Sequence, residues 1–288
     1  MSTLVIPESS PSALDAASQV AASTCTPAAG ARRSLRRILE PLDRIAESSR
    51  RLVGVSHGRF QQDGEDYTLP RYLYVGRQGG GDVQRIGIFA TIHGDEPIGA
   101  LALPRFLQAL EDNPSIAEGY ALFIYPVCNP TGFEDGTRHS RSGRDLNREF
   151  WSGTKQPEVK FLESEIWMRS FHGIITLHSD DTSDGLYGFV KGNVLSEHLL
   201  KPALFEAGRF LPRNHGVVID GFDARSGIIH QGYPGMLQSV PNQSQPPFEI
   251  TFETPQKAPL HRQVDALVAA LKTILVENRY LQAVAANI

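Results

Sequence analysis

Along the chain, short unbroken apolar runs alternate with longer stretches whose apolar residues recur at helical spacing. Leu35, Ile38, Leu39, Leu42 and Ile45 fall every three or four residues and predict an amphipathic helix within 31–53. YLYV (72–75) and IGIFATI (86–92) read as strands, separated by the turn QGGGD. PIGALALPRFLQAL (97–110) reads as a helix opened by Pro97, because a residue without an N–H fits the first turn, where that group has no intrahelical acceptor. ALFIYPV (121–127), GIITL (173–177), GLYGFV (185–190) and FEITFET (248–254) read as further strands. Helical patterns cover 157–171, 196–211 and 260–285. Continuous apolar strands separated by helices predict a sheet covered on both faces, an α/β sandwich in three layers.

Residues 1–30, rich in Ala, Ser, Thr and Pro without apolar periodicity, are expected to form a flexible arm. Residues 31–288 are expected to form one domain. The Gly-rich turn at 79–81 has neither dinucleotide-binding nor P-loop spacing, and no helix follows it, so it reads as a plain strand connection.

Composition narrows the function. A formal net charge of -4 gives no reason to expect nucleic-acid binding, and no apolar run is long enough to span a bilayer. The basic cluster Arg32, Arg33, Arg36 and Arg37 reads as a solvated helix face, with a short partner-binding patch as the minor reading. Cys25 and Cys128 are the only cysteines, and a bridge between a low-complexity stretch and an apolar run is not expected. Two unpaired thiols and no basic n-region fit a reducing compartment, with the cytoplasm as the expected location.

Four segments carry chemistry. In ATIHGDEPIGA, His93 and Glu96 stand three apart between a strand end and a helix start, the edge at which α/β folds build their sites. Imidazole and carboxylate are both good zinc ligands, but H-x-x-E alone is a weak signal. In IITLHSD, His178 follows an apolar strand and should emerge at the same edge; two histidines and one carboxylate leave a fourth tetrahedral position open. The polar segment CNPTGFEDGTRHSRSGRDLNREF (128–150) reads as a long loop carrying Arg138, Arg141, Arg144, Asn147 and Arg148. Guanidinium groups suit bidentate capture of carboxylates and stabilisation of oxyanions, although Arg141 and Arg144 read as solvated. In FEITFETP, Glu249 and Glu253 flank a strand and Glu253 lies at its carboxyl end; a carboxylate beside a metal-bound water can take its proton, but alone Glu253 reads as an ordinary strand-end acid.

The order HGDE, NPTG-x5-R-x5-RDLNREF, LHSD, FETP resembles the zinc carboxypeptidases related to carboxypeptidase A. It looks closest to the compact bacterial members that include murein-peptide amidases, over roughly residues 70–285. The resemblance implies one α/β sandwich with a mixed, eight-stranded sheet and one zinc per chain held by His93, Glu96 and His178. It implies Glu253 as general base and acid, Arg138 as the group polarising the scissile carbonyl, and Asn147 and Arg148 as holders of a terminal carboxylate. Tyr233 in HQGYPGML is the nearest counterpart of the family's substrate-side tyrosine, in surroundings that match poorly. Asp180 and Asp181 either orient His178, select cationic substrates or form a solvated loop.

The expected activity is hydrolysis of an amide bond next to a free carboxylate, on a peptide or N-acyl amino acid. The main rival is a deacylase of the aspartoacylase and succinylglutamate desuccinylase type, which shares the ligand set. Those relatives usually place arginine before a tyrosine ahead of DLNR and add a C-terminal β-domain. Here His139 follows Arg138, and one helical pattern follows Glu253. A catalytically silent peptide-binding relative is the third reading, and the complete ligand set with Glu253 argues against it.

Overall fold

The computed structural model describes residues 32–192 and 195–285. The elements are α1 (Leu35–Ser48), β1 (Leu52–Gln62), β2 (Glu65–Val75), β3 (Gln84–Ala90), α2 (Ile98–Asp112), β4 (Tyr120–Tyr125) and α3 (Pro130–Asp135). There follow α4 (Pro157–Arg169), β5 (Gly173–Asp180), β6 (Tyr187–Gly192), α5 (Leu195–Ala207), β7 (Val218–Ile219), β8 (Phe222–Arg225) and β9 (Ile228–Ile229). β10 (Phe248–Pro255) and α6 (Leu260–Ala285) complete the fold.

One mixed sheet of ten strands runs in the order β1-β2-β4-β3-β5-β10-β6-β9-β8-β7. Its centre is parallel: β3 pairs with β4 and β5, and β5 with β10. β2 and β6 run antiparallel to that core. The expectation of a mixed α/β sandwich is met, with ten strands rather than eight. The additional strands come from two places. The hairpin β1–β2 carries many polar residues, and β7–β9 are too short to leave a periodic signal.

The two layers on the sheet are unequal. α1, α2, α5 and α6 cover one face through a large apolar cluster that includes Ile38, Phe106, Leu200, Leu271, Ile175 and Phe252. On the other face α4 packs through Val159, Leu162 and Ile166 against Phe89, Phe171 and Ile174. Among the described residues no helix of that second layer lies above β10 and β6, and a loop bearing Tyr233, Met236 and Leu237 partly covers them. This gap in the helical cover is where the cavities lie.

Several local expectations change. The helix expected within 31–53 is confined to Leu35–Ser48, and the chain turns into β1 at Leu52. α2 begins at Ile98, with Pro97 in the capping position rather than within the first turn. β5 continues through His178 to Asp180, so His178 stands within the strand. The basic cluster is not uniformly solvated: Arg36 and Arg37 are exposed, but half-buried Arg33 donates from Nη1 to the Gly94 carbonyl at 3.1 Å. Arg141 is also tied down, with 10% side-chain exposure and ion pairs to Asp135 at 2.8 Å, Glu134 at 3.1 Å and Glu65 at 3.2 Å. Arg144 is solvated as expected, at 58% exposure beside Glu149. The 1–30 arm and Cys25 lie outside the described residues. Cys128 is buried and free, and burial pushes its thiol far above the ordinary range.

Candidate metal centre and active site

Two parallel strand ends and the connection after a third build the site. Beyond β3 the backbone turns sharply at Thr91, a fully buried β-branched residue at φ 55, where L side chains are strained. The turn is held because Asn129 N–H donates to the Thr91 carbonyl at 3.0 Å and Asn129 Nδ2 to that of Ile92 at 3.3 Å. Gly94 is required for close approach: a Cβ there would lie 1.9 Å from the Gly132 carbonyl carbon. His93 and Glu96 are thereby delivered to the carboxyl edge beside His178.

His93 Nδ1 lies 2.7 Å from Glu96 Oε1, and His178 Nδ1 lies 2.9 Å from Glu96 Oε2. One ligand atom from each residue lies within 4.8 Å of the others, and all three residues are buried. This cluster could hold a metal ion. Both imidazoles present Nδ1 to the same carboxylate, which draws the three side chains together. His93 Nε2 makes no hydrogen bond among the described residues, and the nearest acid to it is Asp145, with Oδ1 at 3.4 Å.

Electrostatics follows from those contacts. Burial opposes ionisation of Glu96, but the imidazoles of His93 and His178 outweigh it and hold its carboxyl far below the usual range. Burial pulls His93 down as well, yet Glu96 and Asp145 together bring it above its ordinary value. His178 has Glu96 but no second acid, and burial keeps it below its ordinary value. Glu253 goes the other way: burial, then Glu96, Asp180 and Asp220, raise its carboxyl well above the carboxylate range.

The sheet register sets Glu253 directly beside His178 on β5 and Tyr187 on β6. Side chains two residues apart on a strand share a face, so Glu249, Thr251 and Glu253 form one column. Glu249 and Glu253 thus lie within the strand on one face rather than flanking it. A cavity of about 430 Å³ opens in front of this row, lined by His93, Glu96, Arg138, Arg148, His178 and Glu253 among others.

Arg138 reaches the same space. Its Nη1 stands 3.5 Å from Glu96 Oε1, and its Nε and Nη2 each contact Asp145 Oδ2 at 3.1 Å. Asp145 therefore positions Arg138 and lies beside His93. Sequence reading did not single it out, although it directly precedes Leu146–Asn147–Arg148. Asn147 is buried, and its Oδ1 accepts from Leu237 N–H at 2.8 Å. Its amide nitrogen has no protein acceptor among the described residues. Arg148 donates to the Asn147 carbonyl at 2.9 Å and stacks 4.1 Å from the centre of the Tyr233 ring. Tyr233 lines the cavity, its hydroxyl bonded to Asp220 at 2.9 Å (carbonyl) and 3.0 Å (Oδ1). Gly235 lets this loop rest on the backbone at Arg148, since a Cβ would meet the Arg148 oxygen at 2.2 Å.

Asp180 does not orient His178. Its Oδ1 accepts from Thr182 N–H and Oγ1, each at 2.7 Å, and its Oδ2 accepts from Tyr187 at 2.8 Å. Asp181 is exposed at the cavity rim.

Comparison with known proteins bears on the fold and the family resemblance. Residues 82–207 match the succinylglutamate desuccinylase/aspartoacylase catalytic domain. Carboxypeptidase SOL1 of Arabidopsis thaliana is 30% identical over 133 residues, covering 40% of this chain and 24% of that protein. The chain thus spans about a quarter of the plant protein's length. A structure from Shewanella amazonensis described as a metallopeptidase superposes with TM-score 0.68 at 24% identity, over 84% of this chain and 92% of that one. The metallo-carboxypeptidase of Burkholderia cenocepacia superposes with TM-score 0.65 at 18% identity, over 86% and 70%. The chain has a metallo-carboxypeptidase-like fold, and the resemblance read from its motifs to the zinc carboxypeptidase-like family is borne out.

Proposed function

We propose that the protein is a zinc-dependent hydrolase that cleaves an amide bond next to a free carboxylate. The donor set fits zinc: two imidazoles and one carboxylate come together, Asp145 lies beside His93, and a cavity leaves room for a fourth ligand. When bound, zinc would lower the pKa of a coordinated water toward about 7 and polarise a carbonyl oxygen.

The observation that carries the reading is the row His178–Glu253, with Arg138 and Arg148 lining the same cavity. Glu253 takes a proton from the attacking water and later returns it to the leaving amine. Its buried carboxyl lines the cavity beside His178, where one group can serve in both steps. Arg138 donates to the oxygen on which negative charge develops, a contribution of about 3–4 kcal/mol for one such donor. Arg148 and the Asn147 amide hold the substrate's terminal carboxylate, where the planar fork of arginine suits bidentate capture.

A deacylase of small N-acyl amino acids is the second reading, favoured by the family match over 82–207. Both use the same proton transfers on the same row. Side-by-side turnover of N-acyl dipeptides and of N-acetylaspartate and succinylglutamate by the zinc-loaded protein separates them. Dipeptide turnover exceeding that of both small acids is the expected result. The reverse order would transfer the assignment to the deacylase, and no turnover of any of them would remove the hydrolase reading.

A further inference from the structure

α6 (Leu260–Ala285) has two faces, and only one of them is used within the chain. The helix starts at the catalytic edge, where Gln263 Nε2 donates to the Gln256 carbonyl at 3.1 Å. It ends at the opposite edge of the sheet. There Gln282 Nε2 donates to Gln84 Oε1 at 3.1 Å, and Arg279 Nη1 to the Ser115 carbonyl at 2.6 Å. Leu267, Leu271 and Ile274 are buried in the main apolar cluster. The other face carries Ala269, Thr273, Val276, Tyr280 and Ala283, spaced four, three, four and three residues apart. That spacing is the period by which one helix presents a seam to another.

Among the described residues the C-terminal half of this seam has no cover. Val276 is 41% exposed, Tyr280 64% and the flanking Val284 40%. The Thr273 hydroxyl donates to the Ala269 carbonyl at 2.8 Å within the helix, so it needs no partner across the seam. Tyr280 is the large aromatic anchor of the stripe, with shorter side chains before and after it. The flanks carry charge. Lys272 runs along one side of the seam and Glu277, five residues further on, along the other. In a parallel pair of identical helices this offset sets Lys272 of each copy against Glu277 of the other, twice by symmetry. An antiparallel pair sets Lys272 against Arg279, like against like. The face is therefore complementary to itself in one orientation.

We propose that the outer seam of α6 is the surface at which two copies of this chain associate, as a parallel pair of helices about a two-fold axis. The inner face of each helix points away from the seam, so the two domains lie on opposite sides of it without collision. From Ala269 to Ala283 the seam is only about 21 Å long, so the dimer is reversible, with a Kd on the order of micromolar. Both catalytic cavities stay open, since Val276, Tyr280 and Val284 lie on the half of the helix away from the catalytic edge. The inference is independent of the reaction assigned to the site.

The test is sedimentation velocity of the full chain from about 1 to 100 μM, over which the average mass should rise from one chain toward two. Tyr280→Glu should keep the chain monomeric across that range, with an unchanged circular dichroism spectrum. Lys272→Glu should weaken association about fivefold, and adding Glu277→Lys should restore it. Orientation is read by cross-linking in a Cys25→Ser background. A parallel seam sets position 276 against itself, so Val276→Cys should form a disulfide-linked dimer on mild oxidation, while Val53→Cys, exposed on β1, should not. That arm also decides the matter should Tyr280→Glu fold poorly. A chain that stays monomeric throughout overturns the proposal and leaves the seam to a helix of another protein. A dimer untouched by Tyr280→Glu places the interface elsewhere and overturns it as well. A dimer that Tyr280→Glu breaks but Val276→Cys does not link overturns the parallel arrangement.

Discussion

Two buried glutamates on the same side of the molecule are treated in opposite ways. Glu165 on α4 is met by Arg71 Nη1 at 2.6 Å, the Tyr125 hydroxyl at 2.7 Å and Arg169 at 3.3 Å. Burial raises its pKa, but those partners outweigh burial and hold it below the usual carboxylate range. Glu253 lies at similar depth beside Glu96, Asp180 and Asp220, and it is raised. The first acid is committed to architecture, joining β2, β4 and α4 through complete hydrogen bonding. The second has three acids around it, against which Arg138 is the opposing cation. Burial alone therefore does not separate a structural acid from a chemical one; the sign of the surrounding charge does.

The largest effect should come from Glu253→Gln. The amide keeps the shape but cannot accept a proton, so kcat should fall by about two to four orders of magnitude, with zinc content unchanged by elemental analysis. A variant that retains activity would make Glu253 another architectural acid. His178→Ala should abolish stoichiometric zinc, since it removes one of three clustered donors. Full zinc occupancy in this variant would dissolve the metal assignment.

On the architectural side, Glu165→Leu removes the buried carboxylate that Arg71 and Arg169 share. Removing one partner of a buried pair costs about 3–5 kcal/mol, to be read from denaturant midpoints. Activity per folded molecule should not change. The pH dependence follows from the depressed pKa. The stabilisation from Glu165 is fully present above the unfolded-state carboxylate pKa, and it is lost as pH falls through the lower folded value. The wild type should therefore lose stability in acid more steeply than a Glu165→Gln variant. Parallel acid-denaturation curves for the two would show that the partners do not depress it.

The smallest effect concerns Arg33, whose Nη1 supports the Gly94 carbonyl beside His93. Arg33→Ala should cost about 1 kcal/mol of stability and speed zinc loss to a chelator. An unchanged rate of zinc loss would leave Arg33 as surface packing only.

Strands of the parallel core were legible because they are buried on both faces and read as unbroken apolar runs. β1, the first half of β2 and the short strands were not, since polar residues and very short lengths carry no periodic signal. The metal ligands were visible as motif residues at strand ends, and the register brings them together. Asp145 was hidden because its partners, His93 and Arg138, are remote in sequence. The column Glu249–Thr251–Glu253 was encoded in the alternation FEITFE, which places the polar residues on one face and Phe248, Ile250 and Phe252 on the other. Its meaning needed the neighbouring strands. Arg141 looked solvated because Glu65, Glu134 and Asp135 converge on it only in the fold.

The most direct test of the central claim is a cycle of four kcat/KM values: wild type and Arg148→Ala, each on one N-acyl dipeptide as free acid and as C-terminal amide. Arg148 is proposed to hold a carboxylate that is charged in both ground and transition states. Wild type should prefer the free acid by about a hundredfold, and Arg148→Ala should lose most of that preference, mainly through KM, while treating the amide much as wild type does. Equal cleavage of acid and amide by the wild type would contradict the account.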